Sequence, residues 1–338
     1  MKFKTTALLG AAALAMMAGS ASAADLACLI TKNNTNPFFV KMKEGAEAAA
    51  TAAGLDFQAY AGEKDGDAAP QITAIENCMA AGAKGILITA SNDSVVPALK
   101  AARAAGILVI ALDTPLADAE AQDMTFATDN FEAGLRIGKW AAGKLGAEGV
   151  ANAKIAMLDI NKDNISVDVA RDTGFLVGFG IEVPDLTVMG SETDARVIGH
   201  ESSDANPEGG LRAMETLLAK DPDINVVYTI NEPAAEGAFQ ALKAAGKEGQ
   251  AIIVSVDGGC PGIASVKSGV IGATSQQYPL LMAAKGIEAI VAYAADGTKP
   301  AATEGLSFFN TGVNLVTDQP VEGVESIDST KGTELCWG

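Results

Sequence analysis

Gly85-Ile86-Leu87-Ile88-Thr89 and Ile107-Leu108-Val109-Ile110-Ala111-Leu112 are apolar along almost their whole length, and between them runs a helical stretch, Ser94 to Ala105, stopped by Gly106. A strand apolar on both faces needs helices on both faces, which is the setting of a parallel sheet. Strand, helix, strand in that order reads as a βαβ unit. The pattern continues upstream. Asp25 to Thr31 is a strand, Pro37 presets the first turn of a helix that Gly54 closes, Leu55 to Tyr60 is a second strand, and Pro70 to Ala81 is a helix ended by Gly82. Downstream, Met124 to Ala127 completes one doubly wound lobe. The series then restarts: helix Phe131 to Leu145, strand Lys154 to Leu158, helix Val167 to Phe179, a weaker strand Arg196 to Gly199, helix Gly209 to Ala219, strand Val226 to Ile230, helix Glu232 to Ala245 and strand Ile252 to Val256. Two similar α/β lobes are expected, and the length suits two domains.

The first residues read as an export signal. Met1-Lys2-Phe3-Lys4 is basic, Ala7 to Met17 is apolar but too short to span a bilayer, and Ala21-Ser22-Ala23 is a small-residue cleavage site. Residues 1–23 are therefore expected to be a signal peptide cut after Ala23, placing the mature chain in the periplasm. Asp25 stands where a lipoprotein signal wants an apolar residue, so Cys28 is not read as a lipid anchor. No later segment is long and apolar enough to be a transmembrane helix, and no stable membrane insertion is expected.

The formal net charge is −18, and loss of Lys2 and Lys4 makes it two charges more negative. So acidic a surface argues against nucleic acid or anionic membranes as partners. With one histidine, His200, most metal sites and histidine-dependent catalysis are set aside, and that residue is read as structural. No metal and no cofactor are expected. Cys28, Cys78, Cys260 and Cys336 allow three connectivities. The favoured pairing is Cys260 with Cys336, tying the tail Cys336-Trp337-Gly338 to the loop Gly258-Gly259-Cys260-Pro261-Gly262 and leaving Cys28 and Cys78 as buried thiols.

No dinucleotide fingerprint follows any strand, no P-loop occurs, and there is no nucleophile elbow. What the strands carry instead is polar residues at their carboxyl ends, where open α/β sheets collect ligands. Strand three runs into Ser91-Asn92, strand four into Asp113, and the second lobe repeats this with Asn231, with Asp257 and with Gln277. One such residue is commonly a helix cap; a set converging from two lobes suits an uncharged polyhydroxyl ligand. Asn33-Asn34-Thr35-Asn36-Pro37-Phe38-Phe39 adds amides, which both donate to and accept from hydroxyls, beside two rings able to cover the C–H face of a sugar.

These motifs, from Asn36-Pro37-Phe38-Phe39 through Leu112-Asp113, Arg171 before Gly174-Phe175, Asn231-Glu232 and Asp257-Gly258 to Gln277-Tyr278-Pro279, resemble the periplasmic monosaccharide-binding proteins of ABC importers, in the ribose, galactose and fructose group. The resemblance covers nearly all of the mature chain. It implies a type I periplasmic binding protein: two flavodoxin-like, doubly wound parallel-sheet lobes joined by three hinge crossings, near Ala127 to Asp129, near Gln276 to Tyr278 and between Gly305 and Asn310. The N-terminal lobe would hold 24–128 with 278–306, and the C-terminal lobe 129–277 with 307–338. Asn36, Asp113, Arg171, Asn231, Asp257 and Gln277 would hydrogen-bond hydroxyls, Phe38 and Phe39 would lie against the sugar, and Ser91, Asn92 and Asn206 complete the expected set.

Two departures bear on the ligand. Where ribose-specific members have an arginine after the strand-four aspartate, this chain has Thr114-Pro115, and a stacking phenylalanine is replaced around Ala205 in Ser203-Asp204-Ala205-Asn206. The resemblance therefore implies fructose first, then another pentose, hexose or sugar alcohol. The chain is expected to act as a monomer that delivers sugar to the permease subunits of its importer, with service to a chemoreceptor as an alternative. A sugar-responsive repressor would need a helix-turn-helix and a basic face. An exported glycosidase could use Asp113 and Asp257 as its carboxylate pair, but neighbouring amides and Arg171 are expected to keep both ionised, which leaves no acid, so no enzyme activity is expected.

Overall fold

The computed structural model describes residues 24–338; the expected signal peptide and its cleavage site lie outside the described residues. The first lobe is built from β1 (Leu26–Thr31), α1 (Pro37–Ala53), β2 (Asp56–Ala61), α2 (Ala69–Ala80), β3 (Gly85–Ile88), α3 (Val96–Ala104), β4 (Leu108–Leu112) and β5 (Met124–Ala127). The second follows with α4 (Asn130–Ala151), β6 (Ile155–Asp159), α5 (Ser166–Phe179), β7 (Val197–Ser202), α6 (Pro207–Lys220), β8 (Val226–Thr229), α7 (Glu232–Ala244), β9 (Ile252–Asp257), α8 (Cys260–Ser268) and β10 (Ala273–Gln276). The chain then returns through α9 (Pro279–Asp296), β11 (Phe309–Asn310), β12 (Asn314–Val316) and α10 (Ser329–Leu335).

Both sheets have six strands in equivalent order, β2-β1-β3-β4-β5-β11 and β7-β6-β8-β9-β10-β12. All pairings are parallel except β12 against β10. Alternation along the strands divides each lobe into two cores. Ala27 and Leu29 of β1 face α1 and α9, while Cys28 and Ile30 face α2 and α3. In the second lobe Ile155 and Met157 join Trp140, Phe175 and Phe179, whereas Ala156 and Leu158 join the α6–α7 side. This two-sided burial is the reason that the strands read as continuous apolar runs.

The chain passes between sheets after β5, after β10 and between β11 and β12. The third passage differs from the sequence expectation. Phe309–Asn310 pairs with Phe126–Ala127 at the edge of the first sheet, so residues 307–310 belong with that lobe and the crossing lies at Thr311 to Val313. A two-residue strand carries too little periodicity to be found in the sequence, but it satisfies backbone groups that the β5 edge would otherwise expose. Other bounds moved less. The helix expected to stop at Leu145 continues to Ala151 across a non-helical Gly146, and the weak strand at Arg196 extends to Ser202 past a bulge opposite Ile155 and Ala156. Cys260, expected in a loop, is the first residue of α8.

Four glycines set the position of α5. Added β-carbons at Gly134 and Gly138 of α4 would strike the carbonyls of Arg171 and Phe175, and those at Gly174 and Gly178 of α5 would strike the carbonyls of Phe131 and Leu135. The two helices therefore cross backbone to backbone, which holds the Arg171 turn against α4.

The cysteines form two disulfides. Cys260–Cys336 pairs as favoured, with Cα atoms 5.0 Å apart. Cys28 and Cys78 are not free thiols: they bridge β1 to α2 inside the first lobe, Cα atoms 6.3 Å apart. Their burial was legible, but the facing of β1 and α2 that brings them together is a tertiary fact.

Candidate functional site

The carboxyl ends of both sheets face one another across a cavity lined by Lys32, Asn36, Phe38, Phe39, Asp65 and Asp113 from the first lobe and by Arg171, Ala205, Asn231, Asp257 and Gln277 from the second lobe and its crossing, over an apolar floor that includes Ile160, Val167 and Ile230. Phe38, Phe39, Asp113, Arg171, Asn231, Asp257 and Gln277 are all nearly inaccessible to solvent. A ligand can reach them only when the lobes part.

At the centre one guanidinium lies between an aspartate of each lobe. Arg171 Nη2 is 3.5 Å from Asp113 Oδ1 and Nη1 is 3.7 Å from Asp257 Oδ1. The fork is held from its own lobe: Nε donates to Asn130 Oδ1 at 2.7 Å and Nη1 to the Ile230 carbonyl at 3.0 Å. Gln277 Nε2 donates to Asp257 Oδ1 at 2.7 Å, and Thr114 Oγ1 donates to Asp113 Oδ2 at 2.9 Å. Asp113 Oδ1 and Gln277 Oε1 are buried with no hydrogen-bond partner. Both aspartates have positive φ, +62° at Asp113 and +130° at Asp257. Such backbone costs of order 1–3 kcal/mol per residue and is typical of ligand clamps.

The expectation of full ionisation does not hold at Asp257. Burial pushes the Asp257 carboxyl up to about 7, although Arg171 and the Gln277 hydrogen bond pull it down. Burial likewise raises Asp65, against the attraction of Lys32. Glu232, on the first turn of α7, accepts from Gly258 N at 2.9 Å, Gly259 N at 3.0 Å and Thr274 Oγ1 at 2.8 Å. Burial and the nearby Asp257 charge nevertheless push it up to about 8. A folded-state value raised above that of the unfolded chain contributes stability that is complete below the unfolded value and lost as pH climbs through the folded one. Stability gained at Glu232 is thus lost between about pH 4.5 and about pH 8, so Glu232→Gln should melt progressively higher relative to the parent chain from about pH 5 to about pH 8.5. Paired thermal melts across that range check this; a constant difference in melting temperature would exclude it.

Three of the expected residues are absent from the cavity wall. Ser91 N donates to Gln71 Oε1 at 2.8 Å, fixing the end of β3 to α2. Asn92 accepts from Ser94 N and donates to the Gly66 carbonyl, starting a turn of 3₁₀ helix beside a separate depression. Asn206 caps α6 through Gly209 N and turns its amide toward the Asp204 carbonyl. Asn36 and Asn231 also cap helices, accepting from Phe38 N and Ala234 N, yet both line the cavity. Lys32, Asp65 and Asn130 were missed. Lys32 directly follows β1, and Asn130 stands three residues beyond β5, so the strand-end rule applied without regard to residue type would have included both; Asp65 lies in a loop and gave no signal.

Trp337 reaches the site from the tail. Its Nε1 donates to the Gln277 carbonyl at 2.7 Å, its carbonyl accepts from Cys260 N at 2.9 Å, and its ring meets Phe38 edge-on, centroids 5.5 Å apart at 74°. Phe38 also meets Phe39 edge-on at 5.5 Å. The phenylalanines are therefore both core of the first lobe and wall of the cavity.

Two lobes with equivalent strand order, closing on a buried polar cavity through three crossings, are the architecture of a type I periplasmic binding protein, and residues 27–299 match the family described as periplasmic binding protein domain. The chain belongs to that family. It is 32% identical over 286 residues to the ribose import binding protein RbsB of Haemophilus influenzae, covering 84% of this chain and 91% of that one. The D-allose-binding periplasmic protein of Escherichia coli K12 is 28% identical over 284 residues, covering 82% and 86%. Among solved structures, an ABC transporter solute-binding protein from Agrobacterium vitis with bound D-fucose shares the fold at a TM-score of 0.75 and 24% identity, over 92% of this chain and 100% of that one. Among the described residues no helix is long and apolar enough to cross a membrane.

Proposed function

We propose that the protein is the substrate-binding component of an ABC-type sugar importer, taking one monosaccharide between its lobes and presenting the closed form to the permease from the periplasm. The observation that carries this reading is the Asp113–Arg171–Asp257 arrangement, in which contacts from both lobes converge on one small polar cavity. A ligand touching both halves stabilises the closed state over the open one by its differential contacts. Unpartnered Asp113 Oδ1 and Gln277 Oε1 are acceptors for hydroxyls, and Phe38 and Phe39 supply apolar surface. Hydrolysis fits less well: Arg171 lies between the two carboxyl groups, where a glycosidase would hold the scissile bond.

Fructose is the proposed sugar. Ala205 places only a methyl group in the wall where the ribose-specific pattern has a stacking ring, and Thr114, standing in place of its arginine, donates to Asp113; both departures favour a differently shaped ligand. Isothermal titration with fructose, ribose and allose should give one fructose per chain, bound at least tenfold more tightly than ribose, and small-angle scattering should show a smaller radius of gyration with fructose. A different sugar winning the panel would correct the ligand. If no monosaccharide raises the melting temperature, the importer reading itself is wrong.

A further inference from the structure

The second lobe contains a group of ionisable side chains that sugar binding does not use. Asp159 ends β6, Asp168 and Asp172 lie on α5, His200 is on β7, Tyr228 on β8, and Glu192 comes from the segment linking α5 to β7. His200 Nδ1 is 2.8 Å from Asp159 Oδ2 and 3.4 Å from Asp172 Oδ2, and its Nε2 is 2.9 Å from Glu192 Oε1. Asp168 Oδ2 accepts from Ile160 N at 2.7 Å. The remaining oxygens are not satisfied. Asp172 is wholly buried, and neither carboxylate oxygen has a hydrogen-bond partner; Asp159 Oδ1, Asp168 Oδ1, Glu192 Oε2 and Tyr228 OH are buried in the same condition. An orphaned buried acceptor costs its full desolvation penalty. So many in one place call for a positive charge beyond the imidazole.

We propose that Asp159, Asp172 and His200 bind a single divalent transition-metal cation, of the zinc or manganese class, with Glu192 as the outer carboxylate that orients the imidazole. One ligand atom from each of the three lies within 4.8 Å of the others. Ligands of a tetrahedral zinc ion are about 3.3 Å apart, given bonds of about 2.0–2.1 Å, so small rotations of the side chains close the site. One nitrogen with carboxylate oxygens selects this class over calcium, which takes six or more oxygens. A metal-bound imidazole almost always donates its other N–H to a carboxylate, a backbone carbonyl or water, and Glu192 is in that position. Access is short, because the His200 side chain remains 21% exposed.

The test uses untagged mature protein, treated with chelator and dialysed, titrated calorimetrically with zinc chloride and separately with manganese chloride. One equivalent should bind, and the melting temperature should rise. Asp172→Asn, close in shape, should weaken binding at least tenfold while its circular dichroism remains that of the folded chain. His200→Gln, which removes the nitrogen ligand, should weaken binding of both ions at least tenfold. If Asp172→Asn fails to fold, Glu192→Gln, beyond the three ligands, should still lower affinity about tenfold. Absence of saturable binding of either ion by the parent chain would overturn the proposal, as would binding that all three variants leave unchanged.

Discussion

Arg171→Ala is expected to weaken sugar binding at least a hundredfold while the ligand-free protein stays folded. The guanidinium spans the two lobes, and its removal leaves Asp113 and Asp257 buried without the cation between them and frees the carbonyl of Ile230 and Oδ1 of Asn130. Truncating one member of a buried, hydrogen-bonded charge pair costs about 2–5 kcal/mol, and a hundredfold loss corresponds to about 2.7 kcal/mol. Arg171→Lys should fall between, since it keeps the charge but not the planar fork. Isothermal titration beside melts of the ligand-free protein separates two roles. A large fall in stability with affinity preserved would make Arg171 a structural strut and remove the centre of the proposed site.

The second large effect concerns the disulfides, which should differ in what they protect. Each closes a loop worth about 4 kcal/mol in the chain-entropy model, or a drop in melting temperature of about 10 °C for lobes of this size. Cys28→Ser with Cys78→Ser should lower stability and leave sugar affinity unchanged, because that bridge lies inside the first lobe between β1 and α2. Cys260→Ser with Cys336→Ser should lower both, because it frees the tail that places Trp337 against Phe38 and the Gln277 carbonyl. Equal behaviour of the two double variants in binding would show that the tail has no part in the cavity. Recovery of Cys28 or Cys78 as a free thiol on peptide mapping of unreduced protein would remove the first bridge altogether.

The lobes were legible because both faces of each sheet are covered, which writes the strands as apolar runs such as Ile107 to Leu112 and the helices as periodic stretches ended by glycine. The tail was not. Phe309–Asn310 and Asn314–Val316 are too short to carry a period, and α10 buries little beyond Ser329 and Gly332. At the site, the strand-end rule found Asp113, Asn231, Asp257 and Gln277, yet it could not distinguish an amide facing the cavity from one turned to a helix start. Asn231 does both, whereas Asn206 only caps. Register and helix tilt decide between them, and neither is written locally. The elevated Asp257 carboxyl was beyond sequence for a related reason: the charges beside it could be named, but how completely water is excluded follows only from closure of the two lobes.

The meeting of Trp337 with Phe38 gives the closing motion an optical signal of its own. The chain has two tryptophans. Trp140 is sealed in the interior of the second lobe, where parting of the lobes does not reach it, whereas Trp337 is carried by the second lobe and touches a ring carried by the first. In the proposed opening that indole would lose its aromatic neighbour and meet water, and closure would restore the contact. Native emission therefore resolves into a constant background and one component tied to the seam, so the gate can be followed in real time without attaching a dye.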